Sequence, residues 1–135
     1  MCEFLRQLNS MEISKYKPEH ENEILTAIKK DSDWDLFTND DTIDIYRDSL
    51  KNSITYVCHE KSEFCGYVRA LLDDGIAIYI SEIYVLPKWR NRKIGRSLLE
   101  RVKIDFSNMT VYALSDEDAY YEKIGYKKIG SVFEL

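Results

Sequence analysis

Positive charge is the first thing this sequence is short of. Its 19 lysines and arginines are outnumbered by 24 aspartates and glutamates, a formal net charge of -5 over 135 residues. General nucleic-acid binding needs a basic face across the domain, because phosphate neutralisation supplies most of the affinity, so nucleic acid is not an expected partner. Long apolar runs are missing too, and none approaches the roughly 20 residues of a membrane-spanning helix. MCEFLRQLNS at the N-terminus lacks the apolar stretch of a secretory signal. The expected address is the cytoplasm, with no membrane partner.

Metal-ligating residues are scarce. Two histidines and three cysteines (Cys2, Cys58 and Cys65) match no metal-ligand spacing and form no even disulfide framework. No metal is expected, and Cys58 and Cys65 read as reduced thiols facing each other across a hairpin. No repeat, low-complexity or linker-like tract divides the chain. One domain over residues 11–135 is expected, long enough for a single hydrophobic core and acting as a monomer or homodimer. Residues 1–10 read as an extension, either disordered or docked through Phe4, Leu5 and Leu8 at helical spacing.

What is present is an alternation of strand and helix patterns. EISKYK (12–17) predicts a short strand. Pro18 then opens a helix with Ile24, Leu25 and Ile28 on one stripe, and Ile43, Tyr46 and Leu50 mark a second helix. Between them lies an acidic loop, DSDWDLFTNDD (31–41). SITYVCHE (53–60) and FCGYVRALL (64–72) predict a hairpin. IAIYISEIYVL (76–86) is nearly continuous apolar sequence, as in a central strand buried on both faces, and Pro87 stops it. Ile94, Leu98, Leu99, Val102 and Phe106 share one face of the next helix, and TVYAL (110–114) is a fifth strand. Ser115 predicts the N-cap of a short helix reaching Lys123 and closed by Gly125. YKKIGSVFEL (126–135) predicts a last strand or tight pair. The fold class is a mixed α/β sheet, mostly antiparallel and flanked by helices.

One stretch contradicts the acidic balance. In WRNRKIGRSLL (89–99), Arg90, Arg92, Lys93 and Arg96 crowd round Gly95 where an apolar helix begins. A helix N-terminus already carries partial positive charge and unpaired N–H groups, so cations there are unfavourable unless an anion binds. A small anion such as a diphosphate fits, with backbone N–H groups approaching it beside a glycine. A solvated basic helix end with no ligand is the alternative.

The longer string IYVLPKWRNRKIGRSLL, from Ile83, resembles the acetyl-CoA-binding motif of the GNAT N-acetyltransferase superfamily. Its loop pattern Arg/Gln-x-x-Gly-x-Gly/Ala falls on Arg90, Lys93 and Gly95, with Lys93 standing where the first glycine is expected. Downstream, AYYEKIGYKKIG (119–130) is similar to the family's second segment, matching at Tyr120, Tyr121, Lys123, Gly125 and Tyr126. The resemblance covers residues 11–135 and implies a GNAT-like fold in which the fourth and fifth strands splay. It further implies that acetyl-CoA is the co-substrate. Its pantetheine would lie along Ile83, Tyr84 and Val85, and its pyrophosphate within Arg90, Arg92, Lys93, Ile94, Gly95, Arg96 and Ser97.

Direct acetyl transfer to a primary amine is the implied chemistry, with Tyr121 matching the tyrosine that protonates the departing thiolate. Tyr120, one position earlier, is expected to point into the core. Glu82 is the only carboxylate within its apolar strand, which makes it the candidate base; the alternative is a structural pair with a cation such as Arg69. Asp31, Asp33, Asp35, Asp40 and Asp41, interleaved with Trp34 and Phe37, would suit a cationic acceptor: a polyamine, an amino sugar or a lysine or N-terminal amine. A non-catalytic acyl-CoA sensor or docking module with the same fold is the competing reading.

Overall fold

A computed structural model of the protein describes residues 11–135, so the expectation for residues 1–10 lies outside the described residues. The elements are β1 (Met11–Lys15), α1 (Glu21–Lys29), α2 (Asp35–Thr38), α3 (Ile43–Asn52), β2 (Ile54–Glu60), β3 (Glu63–Asp73), β4 (Ala77–Val85), α4 (Ile94–Asp105), β5 (Thr110–Ala113) and α5 (Asp118–Lys123). Single 3-10 turns at Pro18–His20, Ser32–Trp34 and Pro87–Trp89 join them. The five strands lie side by side in chain order. The first three pairings are antiparallel and β4 with β5 is parallel.

Each face of the sheet is covered by the helices whose stripes predicted it. Ile24, Leu25 and Ile28 of α1 and Tyr46 and Leu50 of α3 pack on Val57, Phe64, Tyr67 and Tyr84. Ile94, Leu98, Leu99 and Val102 of α4 cover Tyr56, Val68, Ala70, Ile78 and Ile80 on the other face. A fully buried leucine or isoleucine contributes about 1.5–3 kcal/mol, so these two clusters hold the sheet between its helices.

Two register shifts interrupt the ladders. On β3, Cys58 pairs with Gly66 and His59 with Phe64, leaving Cys65 as an extra residue. The expected Cys58–Cys65 cross-strand pair is therefore corrected: both thiols are buried and free, but Cys65 occupies a bulge. On β4, Arg69 pairs with Glu82 and Ala70 with Ile80, so Ser81 is the extra residue. A bulge bends its strand and increases the local twist. The pairing of β4 with β5 runs only from Ala77 with Thr110 to Ile80 with Ala113 and ends at that bulge, followed by one bond from the Leu114 N–H to the Ile80 carbonyl. Ser81–Val85 then continue with no β5 partner among the described residues.

Two further expectations change at the C-terminal end. The short helix begins at Asp118 with Glu117 as its N-cap, not at Ser115, whose hydroxyl instead accepts the Glu117 N–H at 3.1 Å. The loop SDED supplies local hydrogen bonds that hold Ser115 in a turn before the helix. Gly125 does close α5, at φ +96°, with the Tyr126 N–H reaching the Tyr121 carbonyl. Residues 126–135 form no strand: Ile129, Val132 and Phe133 are exposed, and no described strand pairs with them. A single strand cannot satisfy its backbone alone, and three apolar residues spread round Gly130 specify no register.

The turn into α4 carries two non-glycine residues in the left-handed region, Asn91 at φ 64° and Lys93 at φ 63°. Lys93 is the N-cap of α4, with ψ 16°. The conformation suited to the family's glycine is thus kept by a lysine. A left-handed L-residue costs about 1–2 kcal/mol, and glycine returns about 0.4–1 of that through unfolded-state entropy. Lys93→Gly should therefore stabilise the unliganded protein by roughly 0.5–1 kcal/mol, raising Tm by about 2–5 °C in calorimetry. An unchanged or lower Tm would show that Lys93 is unstrained.

Candidate active site

The free edge of β4 runs directly into the basic turn. The first intrahelical bond of α4 runs from the Ser97 N–H to the Lys93 carbonyl, 3.0 Å. The N–H groups of Ile94, Gly95 and Arg96 precede that bond, and no side chain among the described residues caps the helix. Arg90, Arg92, Lys93 and Arg96 are all exposed around them. Among the described residues none of these four cations is ion-paired. Two of them rest on uncharged groups: Arg90 Nε donates to the Val85 carbonyl at 3.0 Å, and the Arg92 guanidinium lies 4.9 Å from the Trp89 ring. Uncapped N–H groups and unpaired cations in one turn make an anion site.

The predicted coenzyme residues are brought together by this arrangement. Ile83, Tyr84 and Val85 lie on the free half of β4, and Arg90 to Ser97 follow in the turn and first coil of α4. Gly95 has a steric role here, because a Cβ at that position would overlap the Tyr120 hydroxyl. Tyr120 was expected to point into the core. Its ring does pack against the core cluster, yet its hydroxyl sits against the start of α4, with Ile83 alongside.

Tyr121 turns the other way. It faces a cavity of about 870 Å³ shared with Ile80, Leu99, Leu114 and Tyr126. None of Ile83–Val85 or Arg90–Ser97 lines that cavity, so its volume is no guide to the coenzyme. The two tyrosine rings meet edge to face with centroids 5.3 Å apart. Burial, then Tyr120 and Asp116, push the Tyr121 phenol up to about 12, and burial raises Tyr120 as well. Both remain protonated at neutral pH and are available as donors.

Glu82 is paired with Arg69. Both residues are 8% exposed. Arg69 Nε donates to Glu82 Oε1, and Nη2 donates to Oε2 at 3.1 Å. The Tyr46 hydroxyl also donates to Oε1, at 3.0 Å, and is itself 2.6 Å from the Tyr67 hydroxyl. Burial and the negative Glu82 beside it hold the Tyr46 phenol far above its usual range. Arg69 was foreseen as a partner; the two tyrosines were not, and an apolar strand pattern holds no signal for them.

The acidic loop folds over the same region. Trp34 packs edge-on against Tyr84 at 5.1 Å, and Phe37 stacks on Tyr46 at 4.7 Å. Asp31 accepts from the Asp33 N–H at 3.0 Å and lies close enough to Tyr84 to raise its phenol, after burial. Asp33, Asp35, Asp40 and Asp41 remain exposed. No group of histidine, cysteine, aspartate and glutamate among the described residues is arranged to hold a metal ion. No described helix is long and apolar enough to cross a membrane.

Comparison with known proteins places this geometry. Residues 51–128, more than half of the chain, match the acetyltransferase (GNAT) domain family. No curated protein matches the sequence. Among solved structures, AAC(6')-Iy in complex with the bisubstrate analog CoA-S-monomethyl-acetylneamine superposes with a TM-score of 0.72 at 14% identity, covering 93% of this chain and 96% of the other. An aminoglycoside acetyltransferase from an uncultured soil metagenomic sample gives 0.69 at 20% identity over 93% and 97% of the two chains. A ribosomal-protein-alanine N-acetyltransferase from Brucella melitensis biovar Abortus 2308 gives 0.69 at 16% identity over 93% and 98%. At these identities the likeness is one of fold, while the family match rests on sequence. The chain belongs to the GNAT family of acetyl-CoA-dependent N-acetyltransferases.

Proposed function

We propose that this protein transfers an acetyl group from acetyl-CoA directly to the primary amine of a cationic acceptor. The observation that carries the reading is the junction of a half-paired strand with an uncapped, cation-rich helix N-terminus. Ser81–Val85 offer pantetheine amides a free edge, and the turn offers diphosphate unpaired N–H groups and guanidinium groups. Coenzyme and chain fit on charge and on hydrogen bonding alike.

In this reading the alkylammonium acceptor, with pKa around 10, gives up its proton before attack on the thioester carbonyl. Glu82 has three donors on its two oxygens, which suits it to holding the site rather than to taking that proton directly, so deprotonation proceeds through water. Negative charge developing on the carbonyl oxygen meets a backbone N–H of the free half of β4. The departing CoA thiolate takes a proton from Tyr121, a role assigned by its place in the YYEKIGY segment, although the Tyr120 hydroxyl is the one beside Gly95 and Ile83. The acceptor lies under the Asp31–Asp41 loop, where Trp34 and Phe37 give the acidic residues a fixed aromatic base. Three solved proteins of this fold are named as aminoglycoside acetyltransferases against one named as a ribosomal-protein-alanine N-acetyltransferase, which supports a small polycationic amine over a protein N-terminus.

Turnover tests the proposal. Release of free thiol from acetyl-CoA should saturate with an amino sugar or polyamine and stay low with neutral amines. Saturable acetyl-CoA binding without turnover across a broad amine panel would select the sensor reading instead.

The basic turn can be tested by binding alone. Charge-assisted hydrogen bonds contribute about 1.5–3 kcal/mol each. Arg92→Ala combined with Arg96→Ala should thus weaken CoA at least about 10-fold, leaving the unliganded Tm nearly unchanged. Raising salt should weaken CoA binding to the unsubstituted protein more than to this variant, since fewer charge pairs remain to be screened. Equal CoA affinity in the two proteins would remove the turn from the site.

Tyr121→Phe removes a donor and keeps a ring. A group acting only as the thiolate forms contributes to kcat and kcat/KM equally, so both should fall by about 10²-fold or more. Tyr120→Phe, which loses only the hydroxyl against Gly95, should change kcat much less. A phenol donor is competent below its pKa and lost above it. With that value near 12, Tyr121 ionisation should cause no decline in kcat between about pH 8 and pH 10. Full turnover in Tyr121→Phe would return the proton to water or to Tyr120.

A further inference from the structure

The Arg69–Glu82 pair sits at the bulge where β4 stops pairing with β5. Beyond its two bonds to Glu82, the Arg69 guanidinium donates from Nη2 to the Ser81 hydroxyl at 3.1 Å and from Nη1 to the Ser53 hydroxyl at 3.0 Å. Ser81 is the extra residue of the bulge, and Ser53 is the C-cap of α3. The guanidinium also lies 5.3 Å from the centre of the Tyr46 ring, whose hydroxyl binds Glu82. One planar group thus ties three things together: the bulge at Ser81, the end of α3 at Ser53, and Glu82 just beyond the bulge.

We infer that Arg69 is a positioning residue, whose clamp on Ser81, Ser53 and Glu82 sets the point at which β4 departs from β5 and thereby the shape of the coenzyme cleft. The inference rests on the reading that acetyl-CoA lies along Ser81–Val85. Stability alone gives little reason for such a group. Replacing a buried ion pair with apolar residues of similar volume is often neutral or stabilising, because both charges must be stripped of water. A bulge, by contrast, has lost part of its ladder, and its backbone path is held only by directional contacts of the kind a rigid guanidinium fork supplies. Tyr67 and Tyr46 extend the network under the acceptor loop through the Phe37 stack. The clamp therefore also fixes the coenzyme edge relative to the acceptor wall.

The test separates position from stability. Arg69→Met with Glu82→Met removes both charges together and leaves neither buried alone. Its Tm should stay within a few degrees of the unsubstituted protein, while the Kd of CoA by calorimetry rises about 10-fold or more, as expected of a displaced binding edge. Arg69→Lys keeps the charge beside Glu82 but cannot span Ser81 and Ser53 together. It should raise the CoA Kd several-fold, with acceptor KM little changed. Folded variants that bind CoA as tightly as the unsubstituted protein would overturn the inference. Should the unsubstituted protein itself fail to bind CoA, the cleft reading falls first and the clamp's role with it.

Discussion

A strand whose neighbour leaves it halfway has backbone groups to satisfy. Hydrogen-bonding groups of Ser81–Val85 on the β5 side have no strand beside them among the described residues, in a sheet whose other interior ladders are complete apart from their bulges. Buried N–H and C=O groups are almost always paired, so a gap of this kind is either closed by neighbouring chain or filled by a ligand. Everything proposed for the site follows from that gap. The bulge at Ser81 creates it, α4 begins beyond its end, and Tyr120 and Tyr121 stand on the helix that follows β5.

Charge is distributed to match. A chain of net charge -5 concentrates four cations, unpaired among the described residues, at one end of the gap and an acidic loop over α3 at the side. The cations oppose the α4 dipole, each costing about 0.3–1 kcal/mol while nothing is bound. A diphosphate reverses the sign of that interaction. The acidic loop would act in the same manner on a cationic amine, with Trp34 and Phe37 anchored on Tyr84 and Tyr46 beneath it. Between these opposite fields the one deeply buried ion pair among the described residues, Arg69 with Glu82, is internally neutral and adds directional contacts without adding net charge.

How much of this could be read from the residues depends on their periodicity. Helix stripes such as Ile24, Leu25, Ile28 and Leu98, Leu99, Val102 lie buried where a 3.6-residue repeat puts them. The order of elements and the basic turn were equally plain. Bulges were not, because β4 is apolar on both faces and a one-residue slip leaves its pattern looking the same. The β2–β3 hairpin likewise carries no mark of its bulge at Cys65, and Cys58 faces Gly66 rather than Cys65. Glu82 stood out as a carboxylate in an apolar strand, and Arg69 was named beside it, but the pairing of the two needed three dimensions to see. Tyr120 and Tyr121 are about 100° apart on a helix, so spacing separates them without saying which faces α4. Gly95 held that information in hindsight: a residue without a Cβ, opposite a tyrosine hydroxyl.

Lys93 shows how the parts fit energetically. Glycine would adopt its left-handed backbone at no steric cost, so a lysine there makes the empty turn less stable and adds one more charge to a crowded end. An uncapped helix, an open strand edge and clustered cations are likewise unfavourable in the free protein. Each would be improved by the ligand proposed above: pantetheine amides would pair with the edge, phosphate oxygens would cap the helix, and their charge would neutralise the turn. Strain of this sort persists only where surrounding structure enforces it, and the enforcing elements here are well packed, with Ile94 and Leu98 buried directly behind the turn. On the proposed reading, coenzyme binding would draw on free energy already stored in the fold, with the turn, the edge and the Arg69 clamp as parts of one site.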